Sequence, residues 1–316
     1  MLTSFAKIEA NKALLAHMTI PPQVVENIQR QSLLKSSLFS AKIEGNSLTL
    51  AQVDELEENP QIRERIEVAN LLRTLSFLRH SPQLRIERDV LLDIHTKVMQ
   101  HLLGQENLGK LRHEPSAIFD SSGYPIYIPP PPSEVPLLIE QLIQFMNSDT
   151  EKIIPIKAIV SHFMFEKIHP FLDGNGRVGR LLLQMILATG EYHFQWLLSF
   201  EELLNERKSE YYAVLEEQEA TACIELMLSI FVEASDLLIT SIAVKEFSPK
   251  DLLLPRRQEI LQLISEHTMM SLESIKRRFL QVPERTLRYD LQQLEKDGFI
   301  YKVGTTRGAL YRVRTK

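Results

Sequence analysis

The 316-residue chain has a single cysteine, Cys223. One thiol excludes an intrachain disulfide and a thiolate metal cluster, and gives no sign of an oxidising compartment. No apolar run approaches the roughly 20 residues that a membrane span needs, so no membrane partner is expected. The first residues, MLTSFAKIEANKALLAHM, lack the continuous apolar core of a signal peptide, and a cytoplasmic protein is expected. Excess positive charge is also missing: the formal charge is −5, which gives no general reason to expect nucleic acid. That average conceals a split, because residues 251–316 carry 13 Lys and Arg against 8 Asp and Glu, a net of +5 that leaves −10 for residues 1–250. The two parts are built for different partners.

Long alternating runs, the mark of half-buried strands, are missing from residues 1–245 as well. Apolar spacings of three and four take their place in LLRTLSFL, VLLDIHTKVMQHLL, VPLLIEQLIQFM and IELMLSIFVEASDLLITSI, which predict a mainly α architecture. Thr49 with Gln52 resembles a capping box opening LAQVDELEEN, and Ser133 with Glu134 begins another helix beside a proline. The exception is SAIFDSSGYPIYIPPPPSEVP at 116–136, where two β-prone runs flank a Ser-Ser-Gly turn and lead into four prolines. It reads as a small β-hairpin running into a rigid polyproline segment. An isolated hairpin needs a packing surface or a partner strand, so this one is either a packed excursion or an edge that receives something.

Around KEFSPKDLLLPRRQ the helical pattern breaks. Three short helical segments follow, RRQEILQLISEH, SLESIKRRFL and PERTLRYDLQQLEKDG, and then FIYKVGTTRGALYRV, two β-prone runs around a glycine-containing turn. Three helices and a hairpin in this order describe a winged helix-turn-helix. The expected organisation is an N-terminal helical region at 1–95, a core at 96–245 and the winged-helix domain at 246–316. The third helix carries Arg285, Arg288 and Tyr289 where groove contacts would lie, which makes DNA one partner; a dimerisation or protein-docking module of the same fold is the other reading.

The densest chemistry is IHPFLDGNGRVGR at 168–180. PIKAIVSHFMFEKI before it reads as a helix with Ile156, Ile159, Val160, Phe163 and Phe165 largely buried, and a second helix opens near Gly176. The loop therefore ends at a helix N-terminus, whose unpaired amides and dipole favour an anion. Gly174 and Gly176 let a ligand approach the backbone, and Arg177 and Arg180 on neighbouring faces point to a polyphosphate. Asp173 is a hard oxygen donor suited to the magnesium that accompanies such a phosphate chain. His169 can then act as general base toward an attacking hydroxyl, while Phe171 anchors the loop in the core. The run is not a Walker loop, since the Gly-Lys-Ser/Thr ending is absent. A zinc site from His162, Glu166 and His169 is the competing metal reading, at spacings that match no familiar metalloprotease.

At these residues the chain resembles the Fic family, whose pattern H-x-F-x-(D/E)-G-N-G-R-x-x-R is met by His169, Phe171, Asp173, Gly174, Asn175, Gly176, Arg177 and Arg180. SHFMFEK, the hairpin with its prolines and GKLRH at 109–113 extend the resemblance over roughly residues 35–220. It implies transfer of AMP from ATP, with Mg2+, to a hydroxyl of a target protein. It assigns the base to His169, the magnesium ligand to Asp173, an α-phosphate contact to Asn175, a phosphate cradle to Gly174 and Gly176, and the β- and γ-phosphates to Arg177 and Arg180. Tyr211, in NERKSEYYAVL, is the candidate adenine contact. The hairpin becomes a flap on which the target pairs, through Gly123, Tyr124, Pro125, Ile126, Tyr127 and Ile128. Phosphorylating relatives carry lysine where this chain has Gly176, and the marks of phosphocholine-transferring relatives are also absent.

SAKIEGN at 40–46 reads by itself as a helix end, with Ser40 and Glu44 on one face and Gly45 past the last turn. It also resembles the family's inhibitory pattern (S/T)-x-x-x-E-(G/N), complete in Ser40, Glu44 and Gly45. A Glu44 carboxylate against Arg180 would occupy the γ-phosphate position and misalign the α-phosphate. The expectation is an adenylyltransferase repressed by Glu44; the resemblance to the family, not the residues, brings in homodimer contacts and self-modification as forms of relief. The alternatives are an enzyme that also removes AMP, and a transcription regulator whose core senses nucleotide.

Overall fold

A computed structural model describes residues 1–54, 62–81, 85–119, 125–244, 249–279, 282–304 and 309–314. Contacts divide the chain into two units, Met1–Met18 with Gln29–Val244, and Thr19–Ile28 with Lys245–Lys316. Both are mainly helical. No helix among the described residues is long and apolar enough to cross a membrane.

The first unit contains α1 (Leu2–His17), α2 (Pro22–Ile43, from Gln29 onward), α3 (Leu50–Asp54), α4 (Arg63–Arg79) and α5 (Arg88–Met99). A short antiparallel hairpin follows, β1 (Ile118–Phe119) and β2 (Pro125–Tyr127), with Ile118 opposite Tyr127. Then come α6 (Val135–Asn147), α7 (Ile154–Ile168), α8 (Asn175–Thr189), α9 (Glu201–Glu206), α10 (Lys208–Glu216) and α11 (Thr221–Val244). The centre is the α7–α8 pair. Ile159, Phe163 and Phe165 of α7 are buried as the apolar pattern predicts, and Ile156 and Val160 are half-buried. Lys157, Ser161 and His162 are buried with them, so α7 is enclosed on nearly every side by α8, α6, α10 and α11.

Two attachments bring the end of α2 to this centre. Ser36 Oγ donates to Glu201 Oε2 at 2.7 Å, and Lys35 Nζ donates to Glu202 Oε2 at 2.7 Å. The helix then stops in a Schellman motif: the Asn46 N–H reaches Ala41 O at 3.1 Å, the Gly45 N–H reaches Lys42 O at 3.0 Å, and Gly45 takes φ 101°. The hairpin rests on the end of α7, where the Tyr127 hydroxyl donates to Lys167 O at 3.0 Å and Lys167 Nζ lies 4.3 Å from the Tyr127 ring centroid.

The second unit holds α12 (Pro255–Glu266), β3 (Met270–Ser271), α13 (Leu272–Arg278), α14 (Glu284–Lys296), β4 (Ile300–Val303) and β5 (Leu310–Val313), with an antiparallel sheet in the order β3-β5-β4. This is the expected winged helix-turn-helix plus one strand, β3, which at two residues is too short to carry a readable alternation. Ile260, Ile264, Leu287, Leu291 and Ile300 form its core. Asp290 is 1% exposed and accepts from Arg256 Nε at 2.5 Å and Arg257 Nε at 2.9 Å, so two of the tail's basic residues are spent locking α12 to α14.

Candidate active site

The loop between α7 and α8 takes its shape from its own side chains. His169 caps α7 in the left-handed region, φ 48° and ψ 61°, and its N–H donates to Phe165 O at 2.9 Å. Asn175, 3% exposed, clamps the loop: Oδ1 accepts from Phe171 N at 2.9 Å, and Nδ2 donates to Phe171 O at 2.9 Å. One lone pair of Oδ1 and one hydrogen of Nδ2 are thereby engaged inside the loop, which leaves the second Nδ2 hydrogen and the backbone at the start of α8. Phe171 is fully buried and stacks on the His95 ring at 3.9 Å. His95 Nδ1 accepts from Gly109 N at 3.0 Å, which makes Nε2 the N–H that donates to Asp173 O at 3.1 Å. Burial lowers the His95 pKa and favours this neutral tautomer. Sequence reasoning missed His95, although a histidine in the apolar stripe Leu91, Ile94, Val98, Met99 of α5 was its signal.

At the mouth of α8, Arg180 is 1% exposed. Its Nε donates to Ser40 Oγ at 2.9 Å, and its Nη2 donates to Ser40 O at 2.8 Å and to Glu44 Oε1 at 2.8 Å. Burial works against the Glu44 charge, but Arg180 and then Arg177 outweigh it and hold the carboxyl below its usual range. Glu44 in turn raises Arg180 against the lowering effect of burial. Gly176 makes the approach possible: a Cβ there would lie 2.3 Å from Glu44 Oε1. The glycine expected to admit a ligand thus admits the chain's own carboxylate. Gly174, at φ 87°, has no such freedom, since a Cβ would also lie 2.7 Å from Met99 Sδ.

Arg177 is held by two carboxylates, Glu67 Oε1 at 2.5 Å and Asp173 Oδ1 at 2.6 Å. Asp173 also accepts from Gly174 N at 2.6 Å, and its side chain remains 42% exposed. Glu67 was not anticipated. Its Oε2 accepts from Asn46 Nδ2 at 2.7 Å, so the stretch 40–46 touches Arg180 directly and Arg177 through Glu67.

Behind the mouth, burial pushes His162 down to about 3 and Glu166 up to about 8. Their 3.9 Å approach therefore joins two neutral groups, and Gly179 leaves them room, because a Cβ there would lie 2.3 Å from Glu166 Oε1. Tyr211 is 1% exposed, with its hydroxyl 2.8 Å from His162 Nε2, which puts the expected adenine contact inside the core; Tyr212 next to it reaches the surface. Among the described residues no group of three His, Cys, Asp or Glu could hold a metal by itself, so the zinc reading of His162, Glu166 and His169 finds no site.

The residues fit a nucleotide polyphosphate with its metal. Among the described residues, the buried side-chain polar atoms without a hydrogen-bond partner, Ser161 Oγ, His162 Nδ1, Glu166 Oε1, His169 Nδ1 and Arg177 Nε, lie between residues 161 and 177. Asp173 supplies one hard oxygen at the loop's surface, and a Mg2+ there would draw its other ligands from phosphate and water. Burial, with the Arg112 charge, holds His169 below the ordinary histidine range, so its ring is unprotonated at neutral pH and able to accept a proton.

Of the expected flap, Gly123 and Tyr124 lie outside the described residues, and only the backbone of Pro125 and Ile126 is described. Ile128 is 75% exposed. In the second unit Arg285, Arg288 and Tyr289 share the exposed side of α14. Arg288 Nη2 donates to Glu284 Oε1 at 2.7 Å, and Arg257 stacks 5.5 Å from the Tyr289 ring centroid.

Comparison with known proteins gives these segments names. Residues 85–187 match the Fic/DOC family, and residues 256–306 match the DeoR-like helix-turn-helix domain. Curated proteins named "Protein adenylyltransferase Fic" are similar: that of Drosophila willistoni is 25% identical over 197 residues, 59% of this chain and 38% of its own, and that of Drosophila erecta is 28% identical over 174 residues, 52% and 34%. The chain thus spans little more than a third of the length of the curated relatives it matches. Among solved structures, a Fic family protein from Desulfovibrio desulfuricans G20 aligns with TM-score 0.68 at 22% identity, covering 99% of this chain and 96% of that one. Fic-1 from C. elegans aligns with TM-score 0.59 at 20% identity over 76% and 71%. At these identities the structures establish the fold.

Proposed function

From a chain that carries a Fic/DOC domain at 85–187 and a DeoR-like helix-turn-helix domain at 256–306, we propose a protein adenylyltransferase that moves AMP from ATP to a Ser, Thr or Tyr hydroxyl of a target protein and is repressed by Glu44. The observation that carries it is the Glu44 carboxylate on Arg180 and against Gly176, an anion of the chain's own at a helix mouth built for one. His169 takes the proton of the target hydroxyl. The oxygen bonds to the α-phosphorus, the bond to the leaving pyrophosphate breaks, and Arg177 and Arg180 hold the negative charge that departs. Asp173 would hold Mg2+, which neutralises phosphate charge when bound. While Glu44 occupies Arg180, the γ-phosphate has no seat and the α-phosphate is not presented in line.

The test is the intact mass of the full chain, its Glu44→Gly variant and the Glu44→Gly/His169→Ala double variant after incubation with magnesium and ATP. Adenylyl groups should appear on Glu44→Gly at least about tenfold faster than on the parent and be lost in the double variant, where a missing general base costs roughly 10²–10⁴. Equal rates in all three sink the base and the repressor together. Release of AMP from modified protein by the parent would add a second, hydrolytic activity that uses Glu44 to place water.

The exposed basic side of α14 favours a second reading, DNA binding by the winged helix with the Fic core sensing nucleotide. Neutralising Arg285 and Arg288 in the full chain should weaken binding to duplex DNA and flatten its salt dependence by about one counterion per lost phosphate contact. Unaltered binding removes α14 as the DNA surface.

A further inference from the structure

Arg112, buried like Arg177 and Arg180, lies in the stretch GKLRH at 109–113, where the sequence assigns it no role. It is 4% exposed, and no carboxylate among the described residues pairs with it. Its guanidinium is spent on backbone carbonyls: Nε donates to His169 O at 2.7 Å, Nη1 to Glu114 O at 3.1 Å, and Nη2 to Pro130 O at 2.5 Å and Ile168 O at 3.4 Å. Its own N–H donates to Pro170 O at 2.8 Å. One residue therefore binds three successive carbonyls, 168 to 170, at the end of α7, where a helix leaves its last acceptors unpaired and favours a cation. The same side chain binds both roots of the hairpin, Glu114 before β1 and Pro130 after β2.

We propose that Arg112 is a positioning residue that sets the spacing between the base His169 and the hairpin that receives the target. The inference rests on the adenylyltransferase reading. His169 sits in the left-handed region, which is uncommon and costly for a non-glycine residue, and Arg112 grips the carbonyl of that same residue. The hairpin is too short to hold its own place, with two residues in β1 and three in β2, so its register against the loop is that of its anchored roots. The guanidinium charge also stands beside the imidazole and disfavours its protonated form.

Arg112→Met and Arg112→Lys, placed in the Glu44→Gly chain, test this through the rate of adenylyl mass gain between pH 6 and 9, with the affinity for a non-hydrolysable ATP analogue measured alongside. Arg112→Met should slow transfer about 100-fold, the scale of a misplaced reacting group, while nucleotide affinity stays within about twofold. Its acid limb should move to higher pH, because the cation that opposed imidazolium is gone. Arg112→Lys keeps the charge without the fork, so the limb returns to the Glu44→Gly position while the rate recovers only in part. An Arg112→Met protein with unchanged rate and limb overturns the proposal, as does a rate loss matched by an equal loss of nucleotide affinity with the limb unmoved. Should the Glu44→Gly chain itself gain no mass, the adenylyl reading fails and Arg112's role with it. That case is told apart from failure of this inference alone because it is read before any Arg112 variant.

Discussion

The mouth of α8 and the root of the hairpin each enclose a nearly inaccessible arginine, Arg180 and Arg112, and satisfy it in opposite ways. Arg180 binds a serine on α2 and a carboxylate from the residue just past that helix's end; Arg112 binds backbone carbonyls from the loop and the hairpin. A carboxylate on a helix end can leave and be replaced by another anion. Four carbonyls fixed by chain geometry cannot. The first arrangement is therefore a site held shut by a competitor, and the second is a scaffold, even though sequence alone shows two arginines beside glycines and a histidine.

The sharpest way to break that comparison is thermal unfolding with and without nucleotide. Glu44→Gly leaves the Arg180 cation buried with only Ser40, and losing one partner of a buried pair costs about 3 kcal/mol or more. For a unit of this size that corresponds to a fall in Tm of roughly 6–12 °C. Magnesium and ATP at a hundred times Kd should return about 2.7 kcal/mol of it, because the phosphates take the place of the lost carboxylate. Arg112→Met should also lower Tm, by orphaning carbonyls, and nucleotide should recover none of that deficit relative to the parent. If ATP rescues both variants equally, or neither, the distinction between competitor and scaffold fails.

The sequence made one of these regions far more legible than the other. The loop motif and the Schellman end of α2 are local: their glycines, the loop asparagine and the spacing of Ser40 from Glu44 are readable within a few residues, and so is the helix start at Asn175. The pairing of Arg180 with Glu44 across 136 residues came from the resemblance of Ser40, Glu44 and Gly45 to the family's inhibitory pattern, since nothing local to either residue names the other. Arg112, His95 and Glu67 were not legible. Each acts on a segment far away in the chain, 57 residues from Arg112 to His169, 78 from His95 to Asp173 and 110 from Glu67 to Arg177, and nothing in GKLRH, DIHTK or IEVAN announces the partner. The clamp that Asn175 makes on the two backbone groups of Phe171 was not legible either, since it depends on the turn the loop takes between them.

Glu67 offers the finest test of what the mouth contains. Its carboxylate neutralises Arg177 from α4 while its other oxygen accepts from Asn46, two residues beyond Glu44, so the repressing stretch reaches both arginines. Glu67→Gln keeps an acceptor for Asn46 and removes the charge that competes with phosphate. In the Glu44→Gly background the affinity for a non-hydrolysable ATP analogue should rise about fivefold, the equivalent of roughly 1 kcal/mol from one charge-assisted hydrogen bond. Unchanged or weaker affinity would mean that Glu67 only orients Arg177. Measured in both backgrounds, the same substitution closes a double-mutant cycle. Because Asn46 joins the two carboxylates through one helix end, removing both should gain less than the sum of the single gains. Strict additivity would separate Glu67 from the repressor and leave Glu44 acting on Arg180 alone.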